Sequence, residues 1–323
     1  MPPSVKPRTP VHVGRDGWLF YVGFRNEVAK LYRRSLRVWL YLRRWRSLIE
    51  ARNARFAAMG IRHVTTVTPE KLSIVPEMCA GRLVDARLSP GRRLAALMAR
   101  STCPEAFVDL VGLFQAEPDR SALFPRTDSH WTYQGCFLAY SRICEALGVS
   151  PQPDLLDRPF REVDRGDLAI HGGIEADGDT VRIYAALQRS ERIGLGEMVR
   201  AFFDGRIAHV PGVGSTAEFH NPSPDAVPKR LLLFGTSASN FDPIFLTGMF
   251  AETFRSVHFC WTPLVDWKVV ERVKPDFVVC EVIERALGWI EPDDFDTGAL
   301  ADLVLRDAKP PAPAPADVVG QPG

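Results

Sequence analysis

Two short stretches carry residues that could do chemistry together. Residues 229–241, KRLLLFGTSASNF, place Ser237 just after an apolar run and a glycine turn. A helix is expected to follow directly and to run to about residue 250. That would set the Ser237 N–H in a first helical turn, where free N–H groups and the helix dipole favour negative charge. A hydroxyl with its own oxyanion donor is what acyl transfer requires, although Gly-x-Ser after a strand is common by chance. The second stretch is residues 124–135, FPRTDSHWTYQG, with Asp128 and His130 two apart in a loop before a helix. A serine hydroxyl needs a base, and the base needs a carboxylate on its other ring nitrogen. Asp-x-His in an extended loop puts both side chains on one side. Ser237, His130 and Asp128 would then form a triad, with His130 within hydrogen-bond reach of both partners.

Other readings compete. Asp128 or Ser129 could instead be the N-cap of a helix starting near Trp131. Asp-x-His also opens some metal-dependent phosphoesterase sites. Such a site calls for further Asp, Asn and His clusters, and the chain has no Gly-Asn-His run, so no metal is assigned. His12, His63, His171, His209, His220 and His258 occur singly and read as structural.

The elements that must hold these residues follow from the apolar patterning. The chain has 323 residues, ample for a full core. Its net charge of +1 gives no global field to recruit nucleic acid. Stretches that read as strands at residues 63–67, 106–110, 231–234, 256–260 and 276–282 alternate with helical patterns at 90–100, 131–147 and 265–273. That alternation implies a mostly parallel sheet flanked by helices, an α/β fold. Residues 11–21, VHVGRDGWLFY, read as a strand or hairpin entered through a Gly-Arg-Asp-Gly turn. Residues 25–59 lack Pro and Gly and read as one long amphipathic helix. Its arginine-rich face, from Arg33 to Arg55, is either simply solvated or made for a membrane surface or anionic partner.

Residues 154–228 form an irregular insertion, with hairpins expected near 180–185 and 206–210, and are the place for substrate-shaping loops. Residues 1–10 read as a mobile arm, 11–308 as the domain and 309–323 as a disordered Pro/Ala tail. Six scattered cysteines without Cys-x-x-Cys read as buried free thiols. The opening MPPSVKPRTPVHV has no apolar h-region, so by sequence a cytoplasmic location is expected, and no run is long and apolar enough to span a membrane.

Several of these pieces fall in a familiar order. GRDGWLF at residues 14–20, VTPEKLSIVP at 67–76, TDSHW at 127–131 with Gly135 after it, Gly166-Asp167-Leu168, FGTS at 234–237, Pro275 onward and Glu284-Arg285 together resemble the alginate O-acetyltransferase family of the AlgX and AlgJ type. The resemblance spans roughly residues 11–290. It implies an SGNH-hydrolase-like, flavodoxin-like domain. Ser237 would be the acetyl-accepting nucleophile, His130 the general base and Asp128 the orienting acid. Gly166, Trp131 and Arg285 are the accompanying candidates for substrate or oxyanion contacts. Thr236 stands where the family usually has Asp. The family acts in the periplasm, unlike the compartment read from the N-terminus.

The first functional reading is therefore transfer of acetyl through a serine acyl-enzyme to a polysaccharide hydroxyl. It needs no cofactor. The partners implied are a saccharide acceptor and an acetyl donor, supplied by a membrane-bound acyltransferase. The same site would also suit a carbohydrate acetylesterase, and the fold without chemistry would suit a saccharide-binding subunit.

Overall fold

A computed structural model describes residues 10–23, 28–81, 83–158, 160–163, 166–175, 181–184, 187–208, 212–242, 245–306 and 308. The strands are β1 (Val11–Val13), β2 (Leu19–Tyr21), β3 (Arg62–Thr68), β4 (Phe107–Val108), β5 (Phe160–Val163), β6 (Val181–Tyr184), β7 (Glu191–Leu195), β8 (Thr216–His220), β9 (Val227–Gly235), β10 (Phe254–Trp261) and β11 (Phe277–Ile283). Seven of them form one mixed sheet in the order β4-β3-β11-β9-β10-β8-β7. β4, β3, β11, β9 and β10 run parallel, while β8 and β7 extend the edge antiparallel. The chain is an α/β domain, with helices on both faces of this mostly parallel sheet.

β9 shows why the run 231–234 has no alternation. Leu231 and Leu233 enter the larger core with Val64, Val279 and Phe250, whereas Leu232 and Phe234 enter a second core with Phe56, Val269 and Val270. A strand covered on both faces reads as continuously apolar. From β3 the chain steps outward to β4, and from β9 it steps the other way to β10. β11 then returns to lie between β3 and β9. Such reversals leave a crevice at the carboxyl ends of the strands, the usual ligand position in open α/β sheets.

Several expectations are corrected in detail. The region expected as one helix over 25–59 is broken. A short helix at Val28–Leu31 precedes a long one at Leu36–Ala58, because Ser35 turns extended and its hydroxyl caps the Val38 N–H. The helix after the Asp-x-His loop spans Tyr133–Leu147 and is capped by Thr132, so neither Asp128 nor Ser129 is its cap. The helix after β9 starts only at Leu246, so Ser237 lies in a separate turn and not in a first helical turn. In the insertion, β6 pairs antiparallel with β5, but the helix Asp167–Gly172 lies between them in the chain, so the pair is not the local hairpin expected near 180–185. Residues 206–208 form bends after the helix Glu197–Phe203, and residues 209–210 lie outside the described set. The tail 309–323 and residues 1–9 also lie outside it. All six cysteines are buried and free. Among the described residues no helix is long and apolar enough to cross a membrane.

Candidate active site

The turn after β9 is fastened from below by a carboxylate. Glu281 sits in β11 with no exposure and accepts hydrogen bonds from the Thr236 N–H at 2.7 Å, the Thr236 hydroxyl at 2.8 Å, the Ser239 hydroxyl at 3.0 Å and the Thr68 hydroxyl at 2.7 Å. One side chain thus ties the ends of β3 and β9 to the residues on either side of Ser237. Gly235 is required here, since a Cβ would lie 2.5 Å from the Ser239 hydroxyl oxygen. Asn240 adopts φ 58° as the chain leaves the turn, and the Thr247 hydroxyl closes back on the Ser239 carbonyl at 2.9 Å. Ser237 is left half-buried, and neither its hydroxyl nor its N–H has a hydrogen-bond partner among the described residues.

The Asp-x-His loop is held by the segments that surround it. The Leu19 N–H donates to the Arg126 carbonyl, and the buried Lys71 ammonium donates to the Pro125 and Arg126 carbonyls at 3.0 and 2.9 Å. Trp18 and Phe20 of the first hairpin lie against that ammonium, 5.4 and 5.8 Å from ring centre to nitrogen. Within the loop the Asp128 carboxylate takes both the His130 N–H and His130 Nδ1 at 2.8 Å. Its second oxygen accepts the Asp167 N–H at 3.0 Å. Asp167 in turn accepts the Ser129 N–H and hydroxyl, each at 2.6 Å, and its carboxylate reaches to 3.9 Å from His130 Nδ1.

This arrangement fixes the imidazole. With Nδ1 held by Asp128, the proton belongs on Nδ1 and the lone pair on Nε2. Nε2 is buried and has no hydrogen-bond partner among the described residues. One ring face stacks on Phe245, with centroids 5.6 Å apart. Burial disfavours the charged ring, yet the hydrogen bond and charge of Asp128, aided by Asp167, outweigh it and raise the His130 pKa; Arg285 acts in the opposite direction. Burial would raise Asp128, but the His130 contact dominates and holds it below the ordinary carboxylate range.

Asp128, His130 and Asp167 bring ligand-type atoms within 4.8 Å of one another. All four carboxylate oxygens already accept hydrogen bonds from the loop. The donor set therefore fits a histidine clamp better than a cation cage.

The sequence candidates fare differently. Asp128 and His130 are joined as expected, but no hydrogen bond links Ser237 to His130. The Gly166 N–H, a candidate oxyanion donor, is already given to the Thr127 hydroxyl at 3.1 Å. Gly166 serves instead for close approach, because a Cβ there would lie 2.4 Å from the Thr127 carbonyl. Trp131 is almost fully buried and packs on Phe114, so it supports the loop from the core and offers no substrate surface. Arg285 lies beside the site, paired with buried Glu70 at 2.6 Å and stacked over Tyr21. Sequence reasoning assigned no role to Glu281 or Asp167. Asp167 had a signal in the Gly-Asp-Leu segment. Glu281 had one too, as a lone acid inside an apolar strand.

Residues 11–184 match the model of a family described as an SGNH hydrolase-like domain, acetyltransferase AlgX. Among solved structures, the O-acetyltransferase domain of Pseudomonas putida AlgJ is similar at TM-score 0.55 and 18% identity, covering 92% of this chain and 99% of that one. Bacillus cereus PatB1 is similar at TM-score 0.58 and 11% identity, covering 88% and 98%. A DHHW family protein from Eubacterium siraeum is similar at TM-score 0.57 and 13% identity, covering 85% and 90%. Comparison with curated protein sequences finds no match.

Proposed function

The chain belongs to the AlgX family of SGNH hydrolase-like acetyltransferases, and from that premise we propose that it moves an acetyl group through Ser237 onto a saccharide hydroxyl. The observation that carries this reading is the state of His130. Its Nδ1 is held by Asp128 while its buried Nε2 has no partner among the described residues. A ring clamped on one nitrogen and open on the other is prepared to take and return a proton. Ser237 supports the reading because its hydroxyl and N–H are both uncommitted. Catalytic hydrogen bonds are often long in the free enzyme and tighten when substrate binds.

In the proposed cycle, His130 Nε2 takes the Ser237 hydroxyl proton as Oγ attacks the carbonyl carbon of the acetyl donor. The tetrahedral oxyanion rests on the Ser237 N–H. Collapse breaks the bond to the donor's leaving group, which takes the proton from His130, and leaves acetyl on Ser237. An acceptor hydroxyl then gives its proton to Nε2 and attacks the acetyl carbon. The second collapse breaks the Ser237–acetyl bond and returns the proton to Oγ. Asp128 stays ionised and stabilises the imidazolium in both halves. Arg285, held by Glu70, would contact the substrate in this reading. The donor is supplied by a partner acyltransferase in the membrane, as the family resemblance implies.

The test is to supply an activated acetyl ester with and without an oligosaccharide. Acetylated saccharide formed by wild type, and lost in Ser237→Ala and His130→Ala, is expected. Release of acetate to water alone, unaffected by saccharide, would make the protein an esterase. No turnover and no acyl-enzyme would leave a saccharide-binding protein.

A further inference from the structure

The long helix Leu36–Ala58 presents two apolar faces. Val38, Leu42, Trp45 and Ile49 are buried in the main core. On the opposite side Leu36, Trp39 and Leu40 are exposed at 71%, 42% and 42%, with Arg43 one turn further on. The spacing i, i+3, i+4 and i+7 places these four on one outward face. The core does not require that face, and it is not polar as a solvated helix surface should be.

Its surroundings are strongly basic. Arg33, Arg34, Arg37 and Arg44 are exposed beside it, and residues 28–49 contain no acid. None of Arg34, Arg37, Arg43 and Arg44 has a carboxylate partner among the described residues. The Arg37 guanidinium instead donates to the Tyr41 hydroxyl, and that of Arg43 sits over the Trp39 ring at 4.9 Å. Arg93 adds to the cluster by donating to the Arg33 carbonyl at 3.2 Å, and burial together with the charge of Arg34 lowers its pKa. Asp85, the nearby acid that feels Arg34, is already bound to Arg87. Positive charge is therefore crowded here with little internal compensation.

We infer that the exposed face formed by Leu36, Trp39, Leu40 and the arginines Arg33, Arg34, Arg37, Arg43 and Arg44 docks on an anionic phospholipid bilayer. Charge complementarity selects an anionic surface. The three apolar side chains select a bilayer over an acidic polymer, which would engage the guanidinium groups and leave Leu36 and Leu40 in water. Tryptophan and leucine at the headgroup boundary, flanked by arginines at phosphate level, describe an interfacial helix. The Arg43–Trp39 stack already holds a guanidinium beside the ring that would enter the boundary. This attachment is separate from the chemistry at Ser237.

The experiment is co-sedimentation of the full chain with vesicles of phosphatidylcholine alone or mixed with phosphatidylglycerol, at low and high salt. Binding is expected on the mixed vesicles, weakened by salt, and absent on phosphatidylcholine. At about 1 kcal/mol per basic side chain near a charged membrane, R37Q/R43Q/R44Q should bind about a hundredfold more weakly. L36S/W39S/L40S should lose binding as well. All six positions are outside the core, so both variants should melt as wild type does and keep its turnover of an acetyl ester. Failure to bind the mixed vesicles would overturn the inference, as would equal binding to neutral ones or wild-type binding by either variant. Binding to polyglutamate without binding to vesicles would also overturn it, in favour of an acidic macromolecule.

Discussion

Replacing Glu281 should uncouple the nucleophile turn from the sheet. The carboxylate is fully buried and accepts four donor groups, three hydroxyls and one backbone N–H. In Glu281→Ala the hydroxyls of Thr68, Thr236 and Ser239 can rotate toward other acceptors, but the Thr236 N–H cannot. Stranding that N–H costs about 1–3 kcal/mol, and losing the remaining charge-assisted bonds brings the expected destabilisation to about 3–4 kcal/mol. Glu281→Gln should cost far less. With its carbonyl placed at Oε2 it still accepts the Thr236 N–H and Ser239 hydroxyl, while its amide donates to the Thr68 or Thr236 hydroxyl. About 1 kcal/mol is expected for that exchange of a charged for a neutral acceptor. Urea unfolding measures both, and acyl-enzyme formation should fall in the same order, with wild type above Gln and Gln above Ala. Alanine and wild type agreeing within about 0.5 kcal/mol, the range of an unremarkable surface change, would refute the assignment of Glu281 as the anchor.

The remaining predictions concern the clamp and its loop. The raised His130 pKa means that the base is protonated, and inactive, at higher pH than an ordinary histidine. The acid limb of kcat/KM should therefore lie above about 6.5. Asp167→Asn keeps groups that can bond Ser129 but removes a charge that raises His130, so the limb should move to lower pH with little loss of stability; an unmoved limb would show that Asp167 does not act on the base. Gly166→Ala would drive a Cβ into the Thr127 backbone, costing about 1–3 kcal/mol and lowering turnover by shifting the Asp167–Asp128 contact; wild-type melting and rate would argue against the close approach. Ser237→Ala should change unfolding free energy by no more than about 0.5 kcal/mol, since its hydroxyl makes no hydrogen bond, and should still abolish acetyl turnover.

The sheet was legible because β9 and β11 contain apolar runs bounded by charge, glycine or proline, and β3 and β10 are rich in β-branched and aromatic residues. The Asp-x-His loop was legible because orientation of a base requires two residue types at short range. What escaped depends on contacts between distant positions. Ser35 breaks the long helix by turning extended, and its neighbours give no Pro or Gly to mark the break. The helix after β9 starts only at Leu246, and Thr236, Ser239 and Thr247 satisfy the backbone and Glu281 around the turn that holds Ser237. Nothing in the run GTSASN reveals a partner in β11. Gly166 looked like an oxyanion donor by its place in a motif, yet its N–H meets the Thr127 hydroxyl. Trp131 looked like a binding residue beside His130, but it is the side chain that turns inward to the core.

The central claim is that Ser237 carries the acetyl group. Brief incubation with an activated acetyl ester, followed by acid quench and peptide mass mapping, tests it directly. Wild type should gain a single acetyl on the peptide containing Ser237, Asp128→Asn should gain it much more slowly, and Ser237→Ala should gain none. Acetyl on another residue, or undiminished labelling of Ser237→Ala, would contradict the account.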